Sequence, residues 1–137
     1  MKSSDLDILI VDDNPSFVKS FEMLLKSVLG TRVRTLDIAS NGKTAVEMAI
    51  KKNGYDYIFM DVNMPMLNGI EASRIINNEF PSKTKIVAVS FNDDLQTVSD
   101  MIFSGATNYI NKSRITFDEI AKIFDDKSPS IIQPNCF

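Results

Sequence analysis

The sequence predicts an α/β domain, in which helices cover both faces of a parallel β-sheet. Short continuous apolar runs bounded by turn residues recur along the chain, as is typical of strands buried on both sides. Stretches with apolar residues at helical spacing follow these runs, so strand and helix alternate five times. At 137 residues, with 44% hydrophobic and 24% charged residues, the chain is long enough for one domain with its own core.

The first strand and helix have clear boundaries in the sequence. The apolar run at residues 8–11 ends on two acids, Asp12 and Asp13. Asn14, followed by proline, predicts the start of a helix, because asparagine is a favourable cap and proline suits the first helical position. Apolar residues then recur at helical spacing up to Gly30, where we expect the helix to end.

The second and third strands differ in polarity. Residues 33–39 carry several polar side chains, which predicts a strand at the edge of the sheet. Ser40 or Asn41 can cap the helix that follows. Residues 58–60 are apolar throughout and end on Asp61, which indicates a strand covered on both faces.

The remaining sequence repeats this alternation. Strands are predicted at residues 85–90 and 107–110. Three further helices begin with residues whose side chains can accept a hydrogen bond from the helix N-terminus. These caps are Asn68, Asp93 and Thr116.

Composition and charge exclude several classes of function. The 15 basic residues against 18 acidic ones, with no Lys/Arg cluster, argue against nucleic-acid binding through this domain. Without histidine, the chain has no His-ligated metal and no His general base. The single cysteine, Cys136, excludes an internal disulfide and fits a reducing compartment.

The N-terminal sequence carries no membrane signal. The apolar run at residues 8–11 is far too short for a signal-peptide core or a membrane span, so we expect a soluble, cytoplasmic protein without membrane insertion. We expect residues 1–126 to form the domain, and residues 127–137, rich in Ser, Pro and Asn, to form a flexible tail.

Polar side chains follow four of the five predicted strands. Because right-handed crossovers place the carboxyl ends of parallel strands at one edge of the sheet, these side chains should lie close together. They are Asp12, Asp13, Asp61, Ser90 and Lys112. Each alone could be an ordinary strand terminator, and Asp61 a turn former. Together, at the edge where α/β sheets bind ligands, they predict a functional site.

The three carboxylates of this edge repel each other, since each pair about 4 Å apart costs roughly 4 kcal/mol at an effective dielectric constant near 20. Lys112 offsets only one charge, so a divalent cation is expected. Oxygen ligands without histidine or a usable cysteine favour Mg²⁺ or Mn²⁺ over zinc. Mg²⁺ prefers one or two carboxylates together with phosphate oxygens, so the site suits a phosphoryl group.

The residues of this edge have distinct roles in phosphoryl chemistry. Asp61, at the end of the central strand, is the best-placed nucleophile. The adjacent acids Asp12 and Asp13 suit metal ligation. Ser90 offers a hydroxyl donor, and Lys112 offers a point charge for a phosphate oxygen.

Several short motifs occur in order along the chain. They are Val11-Asp12-Asp13, Met60-Asp61-Val62-Asn63-Met64-Pro65, Asn68-Gly69, Val89-Ser90, and Gly105-Ala106 through Tyr109 to Lys112. In this order and spacing they resemble the receiver domain of bacterial two-component response regulators, in particular the single receivers of the chemotaxis-regulator type. The resemblance covers about residues 5–125, nearly the whole chain.

The resemblance implies a flavodoxin-like (βα)5 fold with strand order 2-1-3-4-5. It implies that Asp61 accepts a phosphoryl group from the phosphohistidine of a sensor histidine kinase or a histidine phosphotransfer protein. Asp13, Asp61 and the backbone carbonyl of Asn63 would hold Mg²⁺. Asp12 would act partly through water, and Lys112 would pair with the phosphoryl oxygens. The protein would be a switch that catalyses only its own phosphoryl transfer and autodephosphorylation.

The resemblance also implies an output through protein contact. The Ser90 hydroxyl would move toward the phosphoryl group, and the ring of Tyr109 would turn inward behind it. This movement would repack the face formed by the fourth helix, fifth strand and fifth helix, which a downstream protein target reads; a phosphorylation-dependent homodimer is left open. If the chain is complete, it is a stand-alone regulator or a phosphorelay intermediate, and if it is excised, its effector domain is missing.

Two asparagines and one serine distinguish this chain. Asn63, two residues after Asp61, and Asn92, two residues after Ser90, flank the expected path of an attacking water. We hypothesise that they set the lifetime of the phosphoryl group. Ser113 follows Lys112 where the family usually has proline, often after a cis bond, so the conformation of that peptide bond stays open.

Other classes of protein share parts of this pattern. A pseudo-receiver that binds partners without being phosphorylated is one alternative. Mg²⁺-dependent phosphatases of the haloacid dehalogenase type also use a strand-end aspartate, but they need a second aspartate two residues later, where this chain has Asn63. A flavodoxin is disfavoured because the acids would repel the flavin phosphate.

Overall fold

The computed structural model describes residues 5–64, 67–91 and 94–125. Five parallel strands form one sheet in the order β2-β1-β3-β4-β5, which confirms the predicted (βα)5 fold. The strands are β1 (Leu6–Val11), β2 (Val33–Ala39), β3 (Tyr57–Asp61), β4 (Lys85–Ser90) and β5 (Ala106–Asn111). The helices are α1 (Pro15–Leu29), α2 (Gly42–Lys52), α3 (Gly69–Glu79), α4 (Leu95–Phe103) and α5 (Phe117–Ile123). Short 3₁₀ turns follow α1 and β5, at Gly30–Arg32 and Lys112–Arg114.

Most helices start at the side chains that the sequence predicts as caps. These side chains accept hydrogen bonds from backbone N–H groups of the first turn, which have no partner within the helix. The caps are Asn14 for α1, Asn41 for α2, Asn68 for α3 and Thr116 for α5. Of the two residues considered for α2, the structure therefore uses Asn41 and not Ser40.

The start of α4 differs from the prediction by one residue. Asp94 caps this helix, because its carboxylate accepts hydrogen bonds from the backbone N–H and the hydroxyl of Thr97. The predicted cap, Asp93, lies outside the described residues. Two adjacent aspartates offer the same capping chemistry, so the path of the chain after β4 decides between them.

Two apolar clusters cover the sheet, one on each face. In β1, Ile8 and Ile10 pack with α1 and α5, whereas Leu9 and Val11 pack with α2, α3 and α4. This alternation follows from the two-residue period of a strand. Strands β1, β3 and β4 are almost fully buried, whereas β2 at the edge is mostly half-buried, as its polar sequence predicts.

Ionic and hydrogen bonds join β1 to β2 at the amino end of the sheet. Asp7 in β1 is 4% exposed. Its carboxylate accepts hydrogen bonds from Nε and Nη2 of Arg34, at 3.0 and 2.6 Å, and from the Thr35 hydroxyl at 2.8 Å. The hydrogen bonds from Arg34 lower the pKa of Asp7 to about 2, against the opposing effect of burial.

Within the described ranges, no helix is long and apolar enough to span a membrane. The predicted tail, residues 127–137, lies outside these ranges. The division of the chain into a domain at residues 1–126 and a tail therefore stays a prediction.

Candidate functional site

Three acidic side chains converge at the carboxyl edge of the sheet. Asp12 and Asp13 follow β1, and Asp61 is the last residue of the neighbouring strand β3. One carboxylate oxygen from each of them lies within 4.8 Å of the others. Asp12 and Asp61 are 3% and 6% exposed, whereas Asp13 is largely in contact with solvent. The strand order thus brings together the acids that the sequence singled out.

The Asp12 carboxylate is held from two sides. Its Oδ1 accepts a hydrogen bond from the backbone N–H of Asn14 at 2.9 Å, and the Asn14 side chain in turn caps α1. Its Oδ2 lies 2.6 Å from the Lys112 ammonium. The Asp12 backbone N–H donates to the carbonyl of Ala39 in β2 at 3.0 Å. The start of α1 and the sheet together therefore fix this acid.

Lys112 reaches the acids from the first residue of the turn after β5. Its side chain is 6% exposed, and its ammonium lies 3.6 Å from Asp61 Oδ2. The Lys112–Ser113 peptide bond is trans. Asn111 holds the turn, since its Oδ1 accepts hydrogen bonds from the Ser113 backbone N–H at 2.9 Å and from the Ser113 hydroxyl at 2.6 Å. With serine in place of proline, Lys112 still reaches the acids.

Asp61 lies in a site with excess negative charge. Burial, together with the charge of Asp12 and a smaller effect of Asp13, raises the pKa of Asp61 to about 6. Lys112 and the backbone N–H of Asn63, which donates to the Asp61 carboxyl, act in the opposite direction. One ammonium shared by two buried acids does not neutralise them both.

The end of β3 lies directly against the start of α3. The Gly69 N–H donates to the carbonyl of Val62 at 2.9 Å. A Cβ atom at Gly69 would collide with the carbonyl oxygen of Asp61, so this close approach requires glycine. The first turn of α3 thereby fixes the backbone on which Asp61 stands. Pro65, in the same loop, lies outside the described residues.

Ser90 and Tyr109 lie on the two strands beyond Asp61. Asp61 pairs in register with Val89, so Ser90 lies one residue further along β4, where it is 2% exposed. Tyr109 pairs with Ala88 from β5 and packs, half-buried, against the apolar cluster under α2, α3 and α4. The register therefore places Ser90 at the acidic edge and Tyr109 further back in the sheet.

Of the two asparagines that we expect to set the phosphoryl lifetime, Asn63 lies within the described residues. Asn63 is exposed in the loop after β3, and its backbone N–H donates a hydrogen bond to the Asp61 carboxyl group. Asn92 lies outside the described residues, so its location relative to the site stays a prediction.

Two aromatic rings beside Lys112 were missed by sequence reasoning. The Lys112 ammonium lies 4.6 Å from the ring centroid of Phe17 in α1, and 5.4 Å from that of Phe91. Both distances are within the range of cation–π contacts. Helical spacing predicts Phe17 as a core residue, and this pattern gives no sign of its contact with Lys112. The position of Phe91 directly after Ser90 is the one signal that could have drawn attention to it.

The oxygen atoms of this edge fit a hard divalent cation. Three carboxylates face the single ammonium of Lys112. Oδ2 of Asp12 is buried and, within the described part of the chain, accepts no hydrogen bond, so its partner is the ammonium alone as an ion pair. Carboxylate oxygens are preferred ligands of Mg²⁺. Asp12, Asp13 and Asp61 are therefore suitable residues to hold such an ion.

Comparison with known proteins places this edge within a family. The family model of the response regulator receiver domain matches residues 8–125. A protein-glutamate methylesterase/protein-glutamine glutaminase from Aliivibrio fischeri is 32% identical over 121 residues, which are 88% of this chain and 31% of the relative. The chain spans about a third to a half of the length of the curated relatives that it matches.

Solved receiver structures share the fold. The response regulator domain of Thermotoga maritima CheB is 30% identical with a TM-score of 0.64, covering 85% of this chain and 87% of that one. The receiver domain of the Arabidopsis thaliana histidine kinase CKI1, complexed with Mg²⁺ and BeF3⁻, is 29% identical with a TM-score of 0.66, covering 79% and 81%. Since the matched residues include both the acidic edge and Lys112, the chain belongs to the response regulator receiver domain family.

Proposed function

We propose that Asp61 of this receiver accepts a phosphoryl group from the phosphohistidine of a sensor histidine kinase or a histidine phosphotransfer protein, with Mg²⁺ as cofactor. The observation that carries the proposal is the buried, negatively charged edge, in which Asp61 lies beside two further acids and 3.6 Å from the Lys112 ammonium. A carboxylate in such a setting attacks phosphorus effectively when cations neutralise the incoming charge.

In the proposed reaction, a carboxylate oxygen of Asp61 forms a bond to phosphorus while the phosphorus–nitrogen bond of the donor breaks. The electron pair of the broken bond stays on the imidazole nitrogen, which then binds a proton from solvent. Lys112 stays protonated and pairs with the phosphoryl oxygens. Bound Mg²⁺ would supply the remaining positive charge. Its proposed ligands are Asp12 (partly through water), Asp13, Asp61 and the backbone carbonyl of Asn63.

The protonation state of Asp61 sets the pH range of this reaction. Only the ionised carboxylate attacks, and the pKa of Asp61 is raised to about 6. At limiting Mg²⁺, phosphorylation should therefore increase as the pH rises through this value. A cation held by the carboxylates favours their ionised form, so saturating Mg²⁺ should extend phosphorylation to lower pH.

The proposed output is a change in protein contacts. Ser90 would follow the phosphoryl group, and Tyr109 would turn inward behind it, which repacks the face formed by α4, β5 and α5. Leu95 and Phe103, 79% and 87% exposed on α4, support a protein-binding surface there. The proposed binding partner of this surface is a downstream protein or a second phosphorylated copy of the chain. The proposal includes no nucleic-acid binding through this domain.

We propose a cytoplasmic switch that catalyses only its own phosphoryl transfer and dephosphorylation. Asn63 and Asn92 would set the lifetime of the phosphoryl group, and substitution of either should change the dephosphorylation rate. The methylesterase activity named for the Aliivibrio fischeri relative is not part of the proposal, because the match covers only 31% of that protein.

The proposal is tested by the intact mass of the chain after incubation with Mg²⁺ and acetyl phosphate. We expect a phosphoryl adduct on the native chain, none on Asp61→Asn, and none when a chelator removes the metal. Asp37→Asn is the matched control, since that carboxylate lies in β2 and accepts a hydrogen bond from the Tyr55 hydroxyl at 2.7 Å. An adduct that persists on Asp61→Asn would contradict the proposal. No adduct with acetyl phosphate or candidate kinases would favour the binding-only alternative.

A further inference from the structure

The Lys112 ammonium contacts two phenyl rings. It is 4.6 Å from the ring centroid of Phe17 and 5.4 Å from that of Phe91, and it is positioned over the ring in each case. An ammonium within about 6 Å of a ring centroid is attracted to the negative face of the ring. The side chain of Lys112 is only 6% exposed, so these contacts form in a largely dehydrated setting, where they are strongest.

The two rings differ in how firmly they are held. Phe17 stacks on Phe21 with centroids 5.4 Å apart, and Phe21 meets Phe59 of β3 edge-on at 5.0 Å. Phe17 is thereby part of the core packing. Phe91, directly after β4, is 67% exposed. One ring in contact with Lys112 is therefore packed in the core, and the other is exposed to solvent.

The Lys112 ammonium is closer to Asp12 than to Asp61. It lies 2.6 Å from Asp12 Oδ2 and 3.6 Å from Asp61 Oδ2, so its pairing with a phosphoryl group on Asp61 requires it to stay close to both acids. A lysine head on a flexible four-carbon stem has many other positions available. Contact with two ring faces restricts these positions without neutralising the charge.

We propose that Phe91, together with Phe17, is a positioning residue for phosphoryl transfer, which holds the Lys112 ammonium over Asp12 and Asp61. This inference rests on the proposed function, because Lys112 is positioned for a phosphoryl group on Asp61. With acetyl phosphate, the Asp61 oxygen–phosphorus bond forms while the bond from phosphorus to the acetate oxygen breaks, and acetate leaves with the electron pair. Lys112 transfers no proton in this step; it contributes charge at a defined place.

The test compares Phe91→Leu, which keeps an apolar side chain but removes the ring, with Phe91→Tyr, which keeps the ring. The rate constant of adduct formation with acetyl phosphate and Mg²⁺ is measured by intact mass. We expect Phe91→Leu to lower it about 3- to 10-fold, as loss of one cation–π contact implies, and Phe91→Tyr to stay within about twofold of the native rate. Met23→Leu is the control, since this apolar side chain on α1 is 63% exposed and lies outside the proposed binding surface. It should leave the rate unchanged.

A second readout does not depend on phosphorylation. Protons above a ring face resonate upfield, so the ε-methylene signals of Lys112 should be displaced in NMR spectra of the chain with isotope-labelled lysine. Lys112→Met identifies these signals. Phe91→Leu should move them partly back toward those of exposed lysines, whereas Met23→Leu should not. Unchanged thermal unfolding of Phe91→Leu would exclude a general loss of structure as the cause.

The outcomes separate this inference from the proposed function. A native chain that forms no adduct with acetyl phosphate or with candidate kinases overturns both. An adduct that forms at the native rate on Phe91→Leu overturns only the positioning role, as does a Phe91→Tyr variant that is as slow as Phe91→Leu. Lys112 signals that do not respond to Phe91→Leu would also overturn it, because the ring would then not contact the ammonium.

Discussion

Two buried aspartates at opposite ends of the sheet have opposite pKa shifts. Asp7, near the amino end of β1, is 4% exposed and has a pKa of about 2. Asp61, at the carboxyl end of β3, is 6% exposed and has a pKa of about 6. Burial raises both pKa values and is the largest effect at Asp61, whereas at Asp7 the hydrogen bonds from Arg34 outweigh it. Asp7 receives three hydrogen bonds from Arg34 and Thr35, whereas Asp61 shares one ammonium with a second acid.

The two shifts change stability in opposite directions. The pKa of Asp7 is lowered, so its ionised form stabilises the fold by about 2 kcal/mol at pH values above the ordinary pKa of 3.8. This stabilisation is lost as the pH falls from 3.8 through 2. Because the pKa of Asp61 is raised, the fold loses up to about 3 kcal/mol as the pH rises from 3.8 through 6. The amino end is balanced for stability, and the carboxyl end keeps a charge that a ligand can neutralise.

The largest expected effect on stability comes from Arg34→Met. It leaves Asp7 buried without its main partner, so it should lower the free energy of unfolding by clearly more than the loss of a surface ion pair does. Urea denaturation near neutral pH measures this. Arg74→Met is the matched control, since Arg74 pairs with Glu71 at the surface, each 50% exposed, and its loss should cost under about 1 kcal/mol. Equal losses for both variants would contradict a special role of the amino end.

Mg²⁺ should stabilise the chain through the carboxyl end alone. At about 100 times the dissociation constant, a ligand that binds only the folded state raises the free energy of unfolding by roughly 2.7 kcal/mol. Native protein and Asp7→Asn should gain equally, whereas Asp61→Asn should gain much less. Denaturation in Mg²⁺ and in chelator measures each gain. A full gain in Asp61→Asn would place the ion elsewhere.

The loss of stability at acidic pH should depend on Asp7. Near neutral pH, Asp7→Asn should be about 2 kcal/mol less stable than the native chain, because the neutral amide cannot replace the charge bound by Arg34. The difference should vanish as the pH falls from 3.8 through 2, where Asp7 itself becomes neutral. Unfolding free energies of both chains over this range measure it. A difference that is independent of pH would mean that packing, not charge, is responsible.

The smallest effect is expected from Asp13→Asn. Asp13 is exposed and makes the smallest of the contributions to the raised pKa of Asp61, so without metal its loss should stabilise the fold by only about 0.3 kcal/mol. It should also reduce the gain from Mg²⁺, as measured by the same denaturation series. Destabilisation by Asp13→Asn in chelator would show that this acid is balanced by a partner.

The carboxyl end could be predicted from the sequence because its residues are strand terminators. The run at residues 8–11 ends on Asp12 and Asp13, residues 58–60 end on Asp61, and one topological rule places these ends together. The placement of these acids at one edge therefore followed from local sequence and strand order alone.

The amino end could not be predicted in the same way. Asp7 lies within β1, and its partner Arg34 lies within an edge strand 27 residues away, so their contact depends on the register between the two strands. Phe91 was missed for a related reason, because its contact with Lys112 joins two loops that are distant in sequence. Contacts fixed by register and by loop path are tertiary properties.

The most direct test of the difference between the two ends is the unfolding free energy of native, Asp61→Asn and Asp7→Asn chains near neutral pH without divalent ions. We expect the two substitutions to change the unfolding free energy in opposite directions. Asp61→Asn should be more stable than the native chain by roughly 1–3 kcal/mol, and Asp7→Asn should be less stable by about 2 kcal/mol. If Asp61→Asn is instead less stable than the native chain, the charge of Asp61 is already balanced in the folded protein, and the carboxyl end holds no excess charge for a cation and a phosphoryl group.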